Sequence, residues 1–308
     1  MKVLVTGGAG FIGSHVVEEY VKNGNEVVVV DDLSMGSRNN LPSSDKVTFY
    51  ERSITEYDFM NRLLIENDFD LIFLLAAIAS VADTIDRPFE SHQVNQEANV
   101  RILETIRTNG LSPRRVIFAS SAAVYGTLPD LPKTEVGPVQ PATAYAIDKY
   151  ASERFVLAYS TLYNIPAVAV RFFNVFGPRQ NPASPYSGVL SIISSALKNN
   201  TQFKLFGDGQ QTRDFVYVKD VVKALKLASQ NDDMVGNVYN VATGTSRTLL
   251  EAIQAFEDAA DRDLNIKTQE ERIGDIKYSS ADISALRNIG YQPSYTFEEG
   301  VKLYWESL

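Results

Sequence analysis

Short apolar runs alternate with longer amphipathic stretches through about the first 180 residues. Runs rich in Val, Ile and Phe have the length and composition of buried parallel strands, and they cover residues 2–6, 26–31, 46–52, 70–76, 115–120 and 167–172. Helical patterns lie between them, notably over 88–109 and 144–163; Pro88 suits a first turn and Gly110 a stop. The alternation predicts an α/β fold with a doubly wound parallel sheet. Right-handed crossovers then place any site along one edge of that sheet.

The pattern changes after about residue 180. Pro178, Pro182 and Pro185 mark a loop-rich crossing, and the elements that follow are shorter and less regular. We therefore predict that residues 1–180 form a cofactor-binding domain and that residues 181–308 form a smaller α/β domain for the substrate. Some later segments are expected to return to the first domain.

Composition is that of a soluble globular protein, with 44% hydrophobic and 22% charged residues in 308. No apolar stretch approaches the roughly 18 residues of a membrane span, and no signal-peptide pattern follows Lys2. The formal charge of −9 disfavours a nucleic-acid surface. We therefore expect a cytoplasmic protein that binds neither membranes nor nucleic acid.

Cysteine is absent, which removes disulfides, thiolate nucleophiles and cysteine metal sites. The chain has two histidines, His15 and His92, and His15 lies at the start of the first predicted helix. This composition argues against metal chemistry and against a Ser–His–Asp triad. A catalytic base would then be a tyrosine, a lysine or a carboxylate.

The loop after the first strand reads TGGAGFIG over residues 6–13 and fits G-x-G-x-x-G between a strand and a helix. Such glycines let the backbone approach a pyrophosphate, whose charge rests on the helix N-terminus. The next strand ends in Asp31, about 18 residues beyond Gly13, where an acid can accept ribose hydroxyls. The flanks and the acid favour a Rossmann dinucleotide site over a glycine turn that only packs helix on strand. Asp31 and Asp32 favour NAD over NADP, although Arg38 leaves NADP open.

A tyrosine and a lysine, Tyr145 and Lys149, lie four residues apart on one face of a predicted helix. The strand before it delivers Ser120 and Ser121 to the expected site edge. Lowering a phenol pKa by about three units needs about 4 kcal/mol, which one ammonium about 4 Å away supplies at an effective dielectric of about 20. We therefore predict that Tyr145 is a general base whose pKa Lys149 lowers, while Ser121 hydrogen-bonds the same substrate oxygen. The alternative is a surface helix that bears an ordinary pair, and the upstream glycine loop argues against it.

Five stretches occur in the order and spacing of one known family: TGGAGFIGSH, SSAAVYG, YAIDK, RFFNVFGPRQ and RDFVYVKD. Over essentially its whole length, the chain resembles an extended short-chain dehydrogenase/reductase, specifically a nucleotide-sugar 4-epimerase of the UDP-glucose 4-epimerase type. The resemblance implies reversible oxidation of a UDP-sugar at C4 through a 4-keto intermediate. It also implies an NAD that stays bound and is regenerated in each cycle.

The resemblance implies roles for particular residues and no metal ion. Tyr145 would be the base, Lys149 would bind the nicotinamide ribose and tune Tyr145, and Ser121 would assist. The implied cofactor-binding residues are Gly7, Gly10, Phe11, Ile12, Gly13, Asp31, Asp32, Asn95, Ser120, Tyr145 and Lys149. The implied substrate-binding residues are Ser121, Tyr145, Asn174, Val189, Leu205, Phe206, Arg213, Arg272, Asp275 and Ser279, of which the two arginines suit phosphate oxygens.

Two positions bear on which reaction the resemblance implies. Ala122 and Ala123 stand where the similar 4,6-dehydratases carry an Asp-Glu pair and the decarboxylases a Glu, which favours epimerisation. Ser279 occupies a pocket position that is bulky in epimerases restricted to UDP-glucose and UDP-galactose. Since a tyrosine has about 150–250 Å² of surface, a serine leaves room for an acetamido group. We expect UDP-GlcNAc/UDP-GalNAc as substrates, alongside UDP-Glc/UDP-Gal.

The alternatives are an epimerase restricted to UDP-Glc/UDP-Gal, a UDP-uronate epimerase, a 4,6-dehydratase and, last, a non-catalytic NAD-sensing protein. The family also dimerises through a four-helix bundle, which would use the predicted helices 88–109 and 144–163. Phe155, Tyr159 and Leu162 fit such a homodimer interface, and they fit burial within the subunit equally well.

Overall fold

The structure is a computed structural model that describes residues 1–180, 188–271 and 276–308. Its first part alternates strands and helices as the pattern predicts. The elements are β1 (Lys2–Thr6), α1 (Phe11–Lys22), β2 (Glu26–Asp31), β3 (Val47–Glu51), α2 (Tyr57–Ile65), β4 (Leu71–Leu74), α3 (Val81–Asp86), α4 (Pro88–His92), α5 (Ala98–Thr108), β5 (Arg115–Ser121), α6 (Ala144–Tyr163) and β6 (Ala167–Phe172).

The second part consists of shorter elements. They are β7 (Val175–Phe176), α7 (Val189–Asn199), β8 (Phe203–Phe206), β9 (Thr212–Asp214), β10 (Val216–Tyr217), α8 (Val218–Gln230), β11 (Val238–Val241), β12 (Ser246–Thr248), α9 (Leu249–Ala260), β13 (Ile266–Gln269), α10 (Ser284–Asn288) and α11 (Phe297–Glu306). The small strands pair two by two, β10 with β7, β12 with β9 and β13 with β8.

Seven parallel strands form the central sheet in the order β11-β6-β5-β4-β1-β2-β3. The strand order reverses at β1, whose neighbours are β2 and β4. In an open α/β sheet, ligands bind at the carboxyl ends of the strands beside such a switch point. The predicted fold class, a doubly wound parallel Rossmann sheet, is confirmed.

Alternating side chains of the strands build a core on each face of the sheet, because successive residues of a strand point to opposite faces. Val3 and Val5 of β1 lie in one core and Leu4 lies in the other. A third core joins α7, β8, α9 and α11. After residue 180 the chain returns to the sheet, since β11 extends it and α8 packs against α1. The domain boundary at residue 180 stays a prediction.

Two predicted elements differ from those observed. The predicted strand 70–76 is Leu71–Leu74, because the N–H groups of Leu75 and Ala76 donate to the Thr6 hydroxyl (3.1 and 3.3 Å) rather than to a strand. The predicted helix 88–109 contains a π-helical turn at Gln93–Glu97. Such turns interrupt the regular ladder, often at functional sites.

Within the described ranges, no helix has the length and apolar character that crossing a membrane requires.

Candidate active site

The loop between β1 and α1 folds so tightly that it needs glycine at two positions. Gly7 has a φ of +70°, and a Cβ on it would lie 2.8 Å from the Ala76 backbone. A Cβ on Gly13 would lie 2.1 Å from the Gly7 carbonyl oxygen, well inside contact distance. At both positions neighbouring backbone atoms occupy the space that a side chain would need, so only glycine fits. We call this loop, with Gly7, Gly10 and Gly13, the glycine cradle; the N–H groups of Gly7, Ala9 and Gly10 donate within the protein.

The first turn of α1 follows this cradle directly. Gly10 is the residue before the helix, and Phe11 and Ile12 begin it. The first N–H groups of a helix have no intrahelical partner and carry the positive end of the helix dipole. No side chain caps this terminus. The arrangement fits the pyrophosphate of a dinucleotide.

Asp31 lies at the end of β2, against the glycine loop. Its Oδ2 accepts the N–H of Ala9 and its Oδ1 accepts the N–H of Leu33, each at 2.9 Å. Burial raises the pKa of this carboxyl, while these backbone donors lower it. A carboxylate has about four acceptor sites, so Asp31 keeps capacity for a ribose hydroxyl. Asp32 is exposed and accepts from Ser34, and Arg38 lies over the Phe49 ring at 5.4 Å.

Ser121 and Tyr145 meet at the carboxyl edge of the sheet. Ser121 is the last residue of β5 and Tyr145 is the second residue of α6. The Ser121 hydroxyl lies close enough to the phenol to lower the pKa of Tyr145. Burial outweighs this effect, so the pKa of Tyr145 is raised above its usual value. The lowering of the Tyr145 pKa that the sequence predicts is therefore wrong for the protein chain by itself.

Lys149 lies one turn further along α6 and is almost fully buried (2% exposed). Its Nζ donates to the Ala119 carbonyl at 2.7 Å and lies 6.0 Å from the centre of the Tyr145 ring. Burial lowers the pKa of Lys149 to about 7, and the neighbouring Asp148 opposes this shift. A pKa near neutrality means that Lys149 can lose its charge within the physiological pH range.

Ser120 and Asn95, both predicted to contact the cofactor, use their side chains inside the protein. The Ser120 hydroxyl donates to Glu153 at 2.7 Å. The Asn95 side chain forms two hydrogen bonds with the backbone of Ile78. Its Oδ1 accepts the Ile78 N–H at 2.9 Å, and its Nδ2 donates to the Ile78 carbonyl at 3.1 Å. Asn95 therefore holds the loop after β4 against the π-helical turn. A cofactor contact by either residue stays a prediction.

A buried ionic network lies beneath Lys149, and the sequence analysis missed it. Arg171 of β6 forms two hydrogen bonds with Glu153 of α6, at 2.6 and 2.9 Å. Arg171 also donates to the Tyr125 hydroxyl (2.8 Å), which donates to Asn240 of β11 (2.7 Å). Two signals were available: an arginine inside the apolar run AVAVRF, and a glutamate four residues after Lys149 on the same helix face.

Three predicted substrate residues gather around β9. Asn174 donates to the Asp214 carbonyl at 2.9 Å, and Ser279 N–H donates to the Thr212 carbonyl at 3.2 Å. Arg213 lies between these two carbonyls along the strand and donates to Thr212. This cluster is half-buried.

The other predicted substrate residues lie apart from β9. Val189 begins α7, and Leu205 and Phe206 end β8. The Leu205 side chain is buried in the third core, so its backbone is the part able to meet a ligand. Arg272 and Asp275 lie outside the described residues.

His15 is a structural residue. Its Nε2 is hydrogen-bonded to the Pro178 carbonyl at 3.0 Å, and burial lowers its pKa to about 4. It is therefore neutral at pH 7 and joins α1 to the chain after β7.

Comparison with known proteins points to one family. Residues 3–242 match the NAD dependent epimerase/dehydratase family. A UDP-glucose 4-epimerase from Mycolicibacterium smegmatis is 39% identical over 306 residues, which cover 98% of this chain and 96% of that protein. Relatives described as a dTDP-glucose 4,6-dehydratase and as a decarboxylase match as well.

Two solved structures share the fold over nearly the whole chain. A UDP-N-acetylglucosamine 4-epimerase from Methanobrevibacter ruminantium, in complex with UDP-N-acetylmuramic acid, has a TM-score of 0.93 at 37% identity and covers 99% of this chain and 97% of its own. A UDP-glucose 4-epimerase from Thermotoga maritima with UDP-glucose has a TM-score of 0.94 at 34% identity, with coverages of 100% and 98%.

The sequence resemblance to nucleotide-sugar epimerases and the expectation of NAD as cofactor are confirmed by these matches and by the NAD bound in further neighbouring structures. The glycine cradle, the helix terminus and Asp31 fit that cofactor. The chain belongs to the NAD dependent epimerase/dehydratase family.

Proposed function

We propose that this protein catalyses the reversible C4 epimerisation of a UDP-hexose with tightly bound NAD. The observation that carries the proposal is that Ser121 and Tyr145 lie side by side, with Lys149 one helical turn away. This group lies at the carboxyl edge of the sheet, the edge where the glycine cradle also opens. A phenol and a serine that converge on one point suit proton exchange with a sugar hydroxyl.

Gly7, Gly10, Gly13 and the first turn of α1 would hold the pyrophosphate of NAD, and Asp31 would hold its adenosine ribose. Bound NAD supplies a reversible hydride acceptor and, when oxidised, a positive charge. That charge offsets the burial that raises the Tyr145 pKa.

Tyr145 takes the proton of the C4 hydroxyl as the sugar is oxidised to its 4-keto form, and it returns the proton afterwards. Ser121 donates a hydrogen bond to the same sugar oxygen. The β9 cluster would hold the nucleotide while the keto sugar rotates, so that the hydride taken from C4 is returned to the other face of the sugar. Ala122 and Ala123 bring no carboxylate to the turn after Ser121, which supports epimerisation over elimination or decarboxylation.

The test uses the purified protein with UDP-GlcNAc and no added NAD, followed by proton NMR at the sugar H4 and anomeric signals. Formation of UDP-GalNAc to a fixed ratio supports the proposal and the N-acetylated substrate together. Turnover of UDP-glucose without turnover of UDP-GlcNAc supports epimerisation and rejects the proposal that N-acetylated sugars are substrates. No turnover of either by protein that contains NAD overturns the proposal.

Ser279 supports a pocket that accepts UDP-GlcNAc/UDP-GalNAc as well as UDP-Glc/UDP-Gal. Its backbone is held on β9 through Thr212, and its side chain adds only a hydroxymethyl group. The position is half-buried, so a larger side chain there would take up room next to the strand. Small side chains at such positions admit larger substrates because no atoms need to be displaced.

Ser279→Tyr is expected to lower kcat/KM for UDP-GlcNAc about 10-fold or more relative to UDP-glucose, because the ring fills the room for the acetamido group. The measurement is the ratio of the two kcat/KM values. Ser280→Tyr is the matched control, since Ser280 turns its carbonyl toward Lys133 and is expected to leave the ratio unchanged. An unchanged ratio in Ser279→Tyr would reject this pocket assignment.

We also propose that the protein is a homodimer through α4 and α6. Apolar side chains remain exposed on these helices, with Phe89 71%, Ile147 52% and Leu162 68% exposed. Ile147, Phe155 and Leu162 recur every seven or eight residues and so form one stripe along α6. Exposed apolar stripes of this kind mark protein contacts. Tyr159 is instead held within the subunit, where its hydroxyl donates to Glu104 at 2.8 Å.

Leu162→Glu is expected to halve the molar mass in solution, because two copies of the change place charges inside an apolar interface. Multi-angle light scattering after size exclusion measures this. Val136→Glu changes a more exposed apolar residue (98% exposed) that lies on a loop and not on α4 or α6, and it serves as the control. A wild-type chain that is already monomeric at micromolar concentration would exclude the dimer.

A further inference from the structure

Asp148, the residue before Lys149 in α6, is a carboxylate with too few partners. It is 5% exposed. Its Oδ1 lies 2.8 Å from Nδ1 of His92 in α4. Its Oδ2 is buried and receives no hydrogen bond from any described residue. A buried carboxylate is costly unless charge and hydrogen bonds compensate it.

Lys149 is a buried ammonium that likewise lacks a partner of opposite charge. Its ammonium is buried beside the Phe118 ring, at 5.0 Å from the ring centre, and it donates to the neutral carbonyl of Ala119. No carboxylate of the described residues lies within ion-pair distance of its Nζ. The charge that acts on Lys149 through space is that of Asp148, which favours the ammonium form. Two adjacent residues of one helix thus hold opposite charges, each without a full partner.

Most other charged side chains on the elements around α6 belong to ion pairs. The helices and strands packed against it bring ion pairs of 2.5 to 3.1 Å: Arg87–Glu90, Arg101–Glu97, Arg107–Glu104 and Arg171–Glu153. The remaining charged or titratable groups on these elements and on α6 are Asp83 and Asp86 of α3, the exposed Arg154 of α6, Arg115 of β5, which pairs with Asp232, and the phenols Tyr125, Tyr145, Tyr150, Tyr159 and Tyr163. Among the groups near Lys149, Asp148 is therefore the one that combines burial with an uncancelled charge.

We propose that Asp148, held in place by His92, is a positioning residue that keeps the Lys149 ammonium charged next to Tyr145. The inference rests on the roles proposed above for Tyr145 and Lys149. Asp148 itself touches neither Tyr145 nor the sugar, because it faces α4 on the side of α6 away from β5.

The pH profile of kcat/KM gives a readout that a purely structural role would not move. Lys149 acts in its protonated form, so activity falls on the alkaline side as Lys149 loses its proton. The Asp148 carboxylate raises the Lys149 pKa, and removing its charge lowers that pKa further. Removing the Asp148 charge should therefore shift the alkaline limb of the kcat/KM profile toward lower pH.

Asp148→Asn in the NAD-containing enzyme is expected to move the alkaline limb by about half to one pH unit, which is a loss of about 3- to 10-fold above that limb. Activity near the acid side should stay within about twofold. Asp86→Asn, which neutralises an exposed carboxylate of α3, is the matched control and should leave both limbs in place.

His92→Ala provides a second test that does not depend on how Asp148→Asn folds. Without the His92 hydrogen bond the Asp148 carboxylate is no longer held in place, so its effect on Lys149 weakens and the alkaline limb of kcat/KM moves toward lower pH. The shift should be smaller than in Asp148→Asn, because the carboxylate is displaced and not removed.

An unmoved alkaline limb in folded Asp148→Asn, or a loss that is equal at every pH, overturns the inference. If Asp148→Asn does not fold, an unmoved alkaline limb in His92→Ala overturns it. Lys149→Met separates this failure from that of the proposed function. An active Lys149→Met rejects the role of Lys149 itself, whereas an inactive one with unmoved limbs in the other variants rejects only the role of Asp148.

Discussion

Tyr145→Phe is expected to lower kcat for epimerisation by about 10³-fold, at the upper part of the range for losing a general acid–base group. The change removes one oxygen atom and keeps the ring, so the half-buried position stays filled. The phenol oxygen beside Ser121 is lost, and the hydroxyl of the nearby Tyr125 is already bonded to Asn240 and Arg171. The proton of the C4 hydroxyl then has no acceptor.

Kinetics and cofactor content should be measured on the same preparation, since the variant should keep NAD at wild-type occupancy after purification. The matched control is Tyr163→Phe at the end of the same helix, where the ring is exposed and packs edge-on against Tyr159 at 4.9 Å. That variant should retain full activity. A Tyr145→Phe enzyme with more than about one tenth of wild-type kcat would show that another group carries the proton.

Arg171→Met is expected to lower the free energy of unfolding by about 3–5 kcal/mol, the cost of leaving one member of a buried ion pair alone. Glu153 is fully buried and would keep only the hydrogen bond from Ser120 as direct compensation. Tyr125 would lose its guanidinium donor at the same time. Urea unfolding of the NAD-containing protein at pH 7 measures the change.

Two comparisons make this prediction specific. Arg52→Met breaks an exposed pair of similar length, Arg52–Glu56 at 2.6 Å, and is expected to cost less than about 1 kcal/mol. The double variant Arg171→Met/Glu153→Met removes both charges and should recover part of the loss, since a well-packed apolar pair can replace a buried ion pair. Equal losses in Arg171→Met and Arg52→Met would mean that the buried network contributes little.

The network also explains how α6 is held at the site. Glu153 ties the helix to β6 through Arg171 and to β5 through Ser120, one turn after Lys149. Lys149 itself ties the helix to β5 through Ala119. Tyr145 is therefore placed beside Ser121 by three polar contacts of the same helix, in addition to apolar packing. Such supporting contacts matter because a small displacement of a catalytic side chain greatly lowers the rate of the chemical step.

Much of the fold was predictable because its signals are local. Strands β1, β2 and β6 and helix α6 have the predicted bounds, since a run of branched apolar residues or a helical period is read over adjacent positions. The end of β4 was not predictable from its own residues. It depends on Thr6, which lies 69 positions before Leu75 and whose hydroxyl accepts a hydrogen bond from the Leu75 N–H.

By itself the sequence determined the sheet class, the glycine cradle, Asp31 at the end of β2 and the spacing of Tyr145 and Lys149. These follow from sterics and periodicity within one or two elements. Only the tertiary structure decided which polar side chains face the site and which are used inside. Ser120 and Ser121 are neighbours in sequence, yet a strand turns them to opposite sides, one to Glu153 and the other to Tyr145. Asp148 and Lys149 diverge in the same way on a helix, and their partners come from 56 and 30 positions away. Partners so far apart in sequence are brought together by packing of the whole sheet, which no local pattern encodes.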